Sequence, residues 1–145
     1  MTLTIEDARG VLQNQPFNAL VGGRLVAFEV GSATLEIDIR DELRQQFGFV
    51  HGGVLAYAAD NALTFAGGSV LGPSVVTGGF TITYLRPAAG SVLRAHASVV
   101  SSTRRQAVCR CDLYVEIEGL QPVLCAAAQG TITRIEQTLP APIAN

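Results

Sequence analysis

Along much of this chain, apolar and polar residues alternate as in β-strands. The longest segment without that alternation lies near the middle of the chain. From Gly52 to about Gly67, apolar side chains fall on nearly every face of a helix, with alanines between the larger residues. A helix that is apolar almost all round is buried on most sides. Gly67 and Gly68, followed by Pro73, predict where it ends. The pattern therefore predicts one long buried helix.

Strand-like runs occupy most of the remaining sequence. Two short strands joined by a tight Gly31-Ser32 turn precede the helix, and four longer strands follow it. The predicted strands cover about residues 24–30, 33–39, 75–86, 91–102, 106–118 and 123–135. Because the links among the last four are short, and a parallel crossover needs many more residues, we expect an antiparallel meander. Gly78 and Gly79 weaken the third strand, which indicates either a bend of the sheet or a close approach to a bound molecule.

The two ends of the chain are simpler. A short helix is predicted from Thr4, a suitable N-cap, to Gln15, and Pro16 marks its end. This N-terminal helical region covers about residues 1–18, and a loose tail covers about residues 136–145. A length of 145 residues is enough for one hydrophobic core but not for two. We therefore expect a single α+β domain, residues 1–145, in which an antiparallel sheet of five to six strands wraps around one long buried helix.

Composition excludes several classes of function. A formal net charge of −2 argues against a nucleic-acid partner, which would need a basic face. No apolar run of about 18 residues is present, so we expect no membrane partner. The acidic N-terminal sequence does not fit a signal peptide, which favours a cytoplasmic protein. The chain has no lysine, which excludes Schiff-base chemistry. Its 48% hydrophobic content suggests that partner subunits cover part of the surface.

The three cysteines do not point to a metal or redox site. Cys109, Cys111 and Cys125 are an odd number without metal-binding spacing. We therefore expect buried, reduced thiols and no metal site.

The most informative motif opens the long helix. His51 is followed by Gly52 and Gly53, whose backbone N–H groups are left uncovered at the positive end of the helix dipole. Such a helix start can hold a carbonyl oxygen as it becomes an oxyanion. Asp60 then places a carboxylate in the otherwise apolar segment Val54–Ala66, where a charge is costly without a purpose. An anion hole with a carboxylate suggests acyl chemistry.

With these residues in place, the chain resembles the hot-dog-fold acyl-CoA thioesterases, and among them the phenylacetate-degradation (PaaI-like) branch. The resemblance covers about residues 20–133, and its most specific part is FGFVHGGVLAYAADNALT, supported by YLRPA after the helix. It implies the hot-dog fold and hydrolysis of an acyl-CoA to a free acid and CoA, without a metal or redox cofactor. It also implies a homo-oligomer, either a dimer with shared active sites or a dimer of dimers in one of two packing styles.

The resemblance also implies roles for individual residues. The Gly52 amide would polarise the thioester carbonyl, and Asp60 would act as nucleophile or general base. Gln45 would help to bind the carbonyl or water, although its neighbour Gln46 is an alternative. Thr64, one helical turn beyond the acid, would support it.

Further residues are candidates for substrate binding. Thr77 lies where relatives often carry a polar site residue. Arg86 and Arg104 could bind the CoA phosphates, although solvated turn charges are the ordinary alternative. His51 and Gly53 belong to the same motif, and His51 alternatively orients the loop or hydrogen-bonds backbone. Aromatic residues Tyr57 and Phe47 either line an acyl pocket or belong to the core.

The spacing of Gly52 and Asp60 on the helix determines how subunits must be arranged if both residues are catalytic. Gly52 and Asp60 are separated by about 12 Å along a helix, so they cannot both contact one carbonyl carbon, which requires about 3–3.5 Å. If both are catalytic, the acid of one subunit must act on a thioester held by the glycine of another. Two antiparallel copies of the helix about a twofold axis would provide two such sites.

Two other functions compete with hydrolysis. Dehydration or hydration of acyl thioesters on the same fold would pair a histidine, here His51, with an acid across the dimer. A non-catalytic acyl-CoA-binding module would tolerate loss of Asp60, whereas a hydrolase would not.

Overall fold

A computed structural model describes residues 2–140 as one sheet folded around one long helix. Three α-helices and six strands are formed, together with a short 3₁₀ turn at Asp41–Leu43. The helices are α1 (Ile5–Gln13), α2 (Pro16–Val21) and α3 (Gly52–Leu71). The strands are β1 (Gly23–Glu29), β2 (Ser32–Asp38), β3 (Val75–Tyr84), β4 (Val92–Ser102), β5 (Gln106–Glu116) and β6 (Val123–Arg134).

The six strands form one fully antiparallel sheet in the order β1-β2-β4-β5-β6-β3. Apolar residues on its inner face pack against α3 to form the core, as the alternating pattern predicts. The predicted α+β architecture, a sheet wrapped around one buried helix, is confirmed.

The expected four-strand meander is wrong at its first link. β3 pairs with β6 rather than with β4, so it forms the edge of the sheet opposite β1. The link between β3 and β4 instead runs across the ends of the intervening strands. Leu85 N–H donates to the Cys125 carbonyl at 2.8 Å, and Ser91 N–H donates to the Glu116 carbonyl at 2.9 Å. A short link limits the distance between two strand ends but does not require the strands to be neighbours.

Helix α3 is longer than its glycines suggest. Gly67 and Gly68 lie inside it, and the helix ends at Leu71, before Gly72 with φ of 102°. A Cβ atom at position 67 would lie 2.7 Å from Cβ of Ile132 on β6, so glycine there allows the helix to approach the sheet. The prediction that these glycines end the helix is wrong because close packing, not termination, accounts for Gly67.

The N-terminal region contains one helix more than expected. Thr4 caps α1 as predicted: its hydroxyl accepts the Asp7 N–H at 3.1 Å, and the Asp7 carboxylate accepts the Thr4 N–H at 2.9 Å. Pro16 both follows α1 and occupies the first turn of α2, a position where its missing N–H costs nothing.

The predicted loose tail is described only in part. Residues 136–140 form no helix or strand, and residues 141–145 lie outside the described part of the chain. Across residues 2–140, no helix is both long enough and apolar enough to span a membrane.

Candidate active site

The start of α3 leaves one backbone amide open. His51 is the N-cap, and its Nδ1 accepts the Gly53 N–H at 2.8 Å. The His51 carbonyl accepts the Val54 N–H at 2.9 Å. The Gly52 N–H, by contrast, donates to no acceptor among residues 2–140. Of the two glycine amides, only that of Gly52 is available to a ligand.

Tyr84 explains why position 52 is a glycine. Its hydroxyl donates to the Gly52 carbonyl at 2.7 Å, and a Cβ at position 52 would lie 3.2 Å from that hydroxyl oxygen. The glycine therefore lets the end of β3 pack closely on the first turn of α3. Tyr84 was not among the residues predicted for the site, although it is the first residue of the YLRPA stretch.

Gln45 faces the same region from the loop before the helix. A tight turn is closed by the Gly48 N–H donating to the Gln45 carbonyl at 2.9 Å. The Gln45 side-chain oxygen accepts the Phe47 N–H at 2.5 Å, so the amide nitrogen remains as a donor. Gln45, Gly52 and Tyr84 line one pocket of about 340 Å³, together with Arg86. Gln46 is exposed and does not line this pocket.

The acid lies two turns further along α3. Asp60 is half-buried, and its Oδ1 accepts a 2.5 Å hydrogen bond from the Thr77 hydroxyl on β3. The Thr64 hydroxyl lies 2.7 Å from the Asp60 main-chain carbonyl and 2.9 Å from the Thr77 hydroxyl. Thr64 therefore makes no hydrogen bond to the carboxylate itself. Thr77 contacts the carboxylate, and Thr64 contacts Thr77.

Helical geometry explains why Thr64 contacts the backbone while Thr77 contacts the carboxylate. A threonine in a helix readily donates to the carbonyl four residues earlier, which turns its hydroxyl toward the backbone. Thr77 instead lies on the facing strand beside a register shift at Gly78, where a β-bulge interrupts the pairing with β6. Bulges bend a strand and re-aim neighbouring side chains. The bulge therefore favours a bend of the sheet, rather than a close approach to a bound molecule, as the reason for glycine at position 78.

The two groups of polar atoms are separate within one chain. Gly52 and Gln45 form what we call the donor group, and Asp60 with Thr77 and Thr64 forms the acid group. Gly52 and Asp60 lie on one uninterrupted helix, which keeps them about 12 Å apart. The donor pocket does not include Asp60.

The arginines predicted to bind phosphate lie at opposite ends of the sheet. Arg86 borders the donor pocket, and its Nη1 donates to the Leu124 carbonyl at 3.0 Å. Arg104 lies in the β4–β5 turn, at the end where β6 finishes and α3 ends. A single chain therefore does not bring Arg104 to the pocket that holds Gly52.

The cysteines are buried and unpaired, as predicted. Burial raises the pKa of Cys109 and Cys125 to about 11 and that of Cys111 to about 12. Thiols with such values are poor nucleophiles at neutral pH. Within residues 2–140, no group of His, Cys, Asp or Glu side chains is arranged to hold a metal ion.

Comparison with known proteins identifies the family of this chain. Residues 47–121, which contain Gly52, Asp60 and Thr77, match the model of the family described as "Thioesterase superfamily". The chain belongs to the thioesterase superfamily. Its sheet and central helix are the hot-dog fold of that superfamily.

Solved structures of other superfamily members are closely similar. A thioesterase family protein from Silicibacter pomeroyi superimposes with a TM-score of 0.82 at 27% identity, over 87% of this chain and 93% of that one. The Escherichia coli PaaI protein from the phenylacetic acid degradation operon gives 0.81 at 25% identity, over 92% and 94%. A variant of the Thermus thermophilus PaaI protein gives 0.71 at 30% identity, over 83% and 100%.

A curated relative matches over a shorter stretch. The 1,4-dihydroxy-2-naphthoyl-CoA hydrolase of Listeria monocytogenes is 27% identical over 62 residues, which are 43% of this chain. The match spans half the length of that hydrolase.

Proposed function

We propose that this thioesterase-superfamily protein hydrolyses acyl-CoA thioesters at sites shared between two subunits. One subunit would supply the donor group and the other the acid group. The proposal rests on two groups of helix α3, the open amide of Gly52 and the carboxylate of Asp60, which is oriented by a hydrogen bond. Within one chain these two groups are too far apart to act on the same carbonyl. The CoA ester in the Listeria monocytogenes relative's name supports the substrate class.

The donor group suits a developing oxyanion. Gly52 and Gln45 line one pocket, and the Gly52 N–H and the Gln45 amide nitrogen would donate to the thioester oxygen as it gains negative charge. His51 accepts the Gly53 N–H, which fixes the loop and favours a structural role over proton transfer. Because the hydration reaction would need His51 as a proton-transfer group, its structural role favours hydrolysis.

The acid group suits a nucleophile or a general base. The Thr77 hydroxyl holds one carboxylate oxygen of Asp60 and leaves the other for reaction. Asp60 would either attack the carbonyl carbon to form an acyl-enzyme anhydride, expelling the CoA thiolate, or take a proton from attacking water. Water would complete either route to the free acid.

A twofold pair of α3 helices would join the two groups. If Asp60 of one antiparallel helix lies opposite Gly52 of the other, the axis passes beside their midpoint, Ala56. Gly53 is exposed and Ala56 and Asp60 are half-buried, so all three lie on the stripe of α3 that its own chain covers least. The small side chain at Ala56 would let the two helices approach closely.

Mixed dimers test the shared site. Asp60→Asn removes the acid, and Gly52→Pro removes the donor N–H, so each variant alone should be inactive. We expect the heterodimer, isolated through a different tag on each chain, to recover about half the wild-type activity, because one of its two sites is intact. Release of CoA thiol from an acyl-CoA panel is the measurement.

Two outcomes would contradict the proposal. An inactive heterodimer that remains folded and dimeric would place both groups in one chain or deny them a catalytic role. A wild-type protein that binds acyl-CoA without releasing thiol would favour the binding module.

A further inference from the structure

The two glycines that open α3 are held by different neighbours. The Gly53 N–H is used in its bond to His51, whereas Gly52 is held through its carbonyl, which accepts the Tyr84 hydroxyl at 2.7 Å. Glycine has no side chain to anchor it, and the first N–H groups of a helix have no partner inside the helix. The Tyr84 bond therefore fixes Gly52 while its N–H stays free for a ligand.

The end of β3 that carries Tyr84 is itself fixed. Leu85, the next residue, donates its N–H to the Cys125 carbonyl of β6 at 2.8 Å. Further along, the Ala88 carbonyl accepts the Val50 N–H at 2.9 Å, which ties the loop before α3 to the same segment. The end of β3 therefore provides a rigid support for the donor group.

The same strand holds the acid group through Thr77. Thr77 and Tyr84 are seven residues apart, and in a regular strand an odd spacing sends two side chains to opposite faces of the sheet. Their partners on β6, Ile132 and Ala126, are six residues apart and are both buried on the inner face. Because residues directly opposite each other point to the same face, Thr77 and Tyr84 both face α3.

The β-bulge at Gly78 accounts for this change of phase. The register of β3 against β6 shifts between Thr77 and Gly79, so the bulge gives β3 one residue that β6 does not match. Without that residue, a strand that presents Tyr84 to the helix would turn Thr77 away from Asp60. The bulge therefore lets one strand present both hydroxyls to α3.

We propose that Tyr84 is the positioning residue of the donor group, so that β3 orients both polar groups of its chain. The inference rests on the proposed function. Tyr84 acts through the Gly52 backbone, because its hydroxyl proton is used in the bond to the Gly52 carbonyl. Loss of the hydroxyl leaves the Gly52 N–H in place but lets it move, and a small misplacement of a catalytic group slows a reaction.

Mixed dimers separate positioning from a general structural role. In the heterodimer of Asp60→Asn and Gly52→Pro chains, the one intact site takes Gly52 from the Asp60→Asn chain. Tyr84→Phe in that chain should lower kcat about 3- to 10-fold, the factor for one neutral hydrogen bond, with little change in KM. In the Gly52→Pro chain, the same substitution should keep the heterodimer's kcat, because that chain supplies no working donor group. Thiol release from the acyl-CoA that the wild type hydrolyses fastest is the measurement.

Tyr114→Phe is the matched control, since it removes the same hydroxyl from a different strand. Tyr114 lies on β5 between the buried residues Leu113 and Val115, so it points away from α3. Placed in either chain of the heterodimer, it should keep kcat.

The outcomes also separate this inference from the proposed function. A fall in kcat as large in the Gly52→Pro chain as in the Asp60→Asn chain would show a general structural role and overturn the inference, as would no fall in the Asp60→Asn chain. If the heterodimer without Tyr84→Phe releases no thiol, the proposed function fails instead. Solvent exchange of the Gly53 N–H, followed by NMR on protein with isotope-labelled glycine, then decides whether Tyr84 holds this helix start. Exchange about 3- to 10-fold faster in Tyr84→Phe than in Tyr114→Phe would support that role, and equal rates would overturn it.

Discussion

Replacing Gly52 with proline would replace the N–H of the proposed oxyanion hole with the ring carbon Cδ, while the helix itself tolerates the change. Proline is well accepted in the first turn of a helix, where the backbone N–H has no helical partner. The residue before a proline must avoid the helical region, and His51, with φ −59° and ψ 136°, already does. Position 52 therefore satisfies both backbone requirements of the substitution.

The matched control is Gly52→Ala, which keeps the N–H. Both substitutions add a Cβ atom about 3.2 Å from the Tyr84 hydroxyl oxygen, so the alanine variant controls for the small shift that this atom requires. Loss of one oxyanion donor lowers kcat by about 10²–10³ in other enzymes. We expect Gly52→Pro to lose at least that factor in kcat relative to Gly52→Ala, because the proline has no N–H and its Cδ also occupies the space for the thioester oxygen.

Thiol release measured with a disulfide reagent at pH 8 is a suitable assay. The protein's own thiols would not interfere in the native state, because all three are buried and have pKa values of about 11 to 12. Equal activity of the proline and alanine variants, with both folded and dimeric, would refute the role of the Gly52 amide.

Three further predictions concern the helix and the acid. Gly67→Ala should lower the free energy of unfolding by about 1–3 kcal/mol in denaturant titration, because its Cβ would overlap Ile132, whereas Gly68→Ala should be neutral or stabilising. The opposite order would refute the packing role of Gly67. Thr77→Val should lower kcat about 10- to 150-fold by releasing the Asp60 carboxylate, while Thr77→Ser should retain activity. Equal loss in both variants would count against the hydroxyl. Ala56→Arg should give a folded, inactive monomer by light scattering, and an active dimer would exclude the antiparallel helix pair.

Local chemistry made the starts of α1 and α3 and most strand boundaries predictable from the sequence. The His51-Gly52-Gly53 motif marks the first residue of α3, and Thr4 marks the cap of α1. The strand order was harder to predict from the sequence. β3 pairs with β6 across 38 intervening residues, from 85 to 122. The length of the link between β3 and β4 carries no information about that pairing. Gly67 was misread because a glycine that ends a helix and one that packs against a strand look the same in a sequence.

The candidate site was predictable residue by residue but not in its connections. Asp60 and Gly52 follow from the motif and the helical spacing. The hydrogen bond from Thr77 to Asp60 depends on where β3 crosses α3, which no local pattern encodes. Helix α2 was missed because Pro16 was interpreted only as the end of α1 and not as the beginning of α2.

The position of β3 at the sheet edge has a consequence for how the protein matures. Because β6 is the only strand that pairs with β3 within residues 2–140, β3 has no ladder to join until β6 has emerged from the ribosome. Asp60 therefore gains its hydroxyl partner late in synthesis. Chains that stop before Val123 would carry every residue of both polar groups and still lack a properly assembled acid.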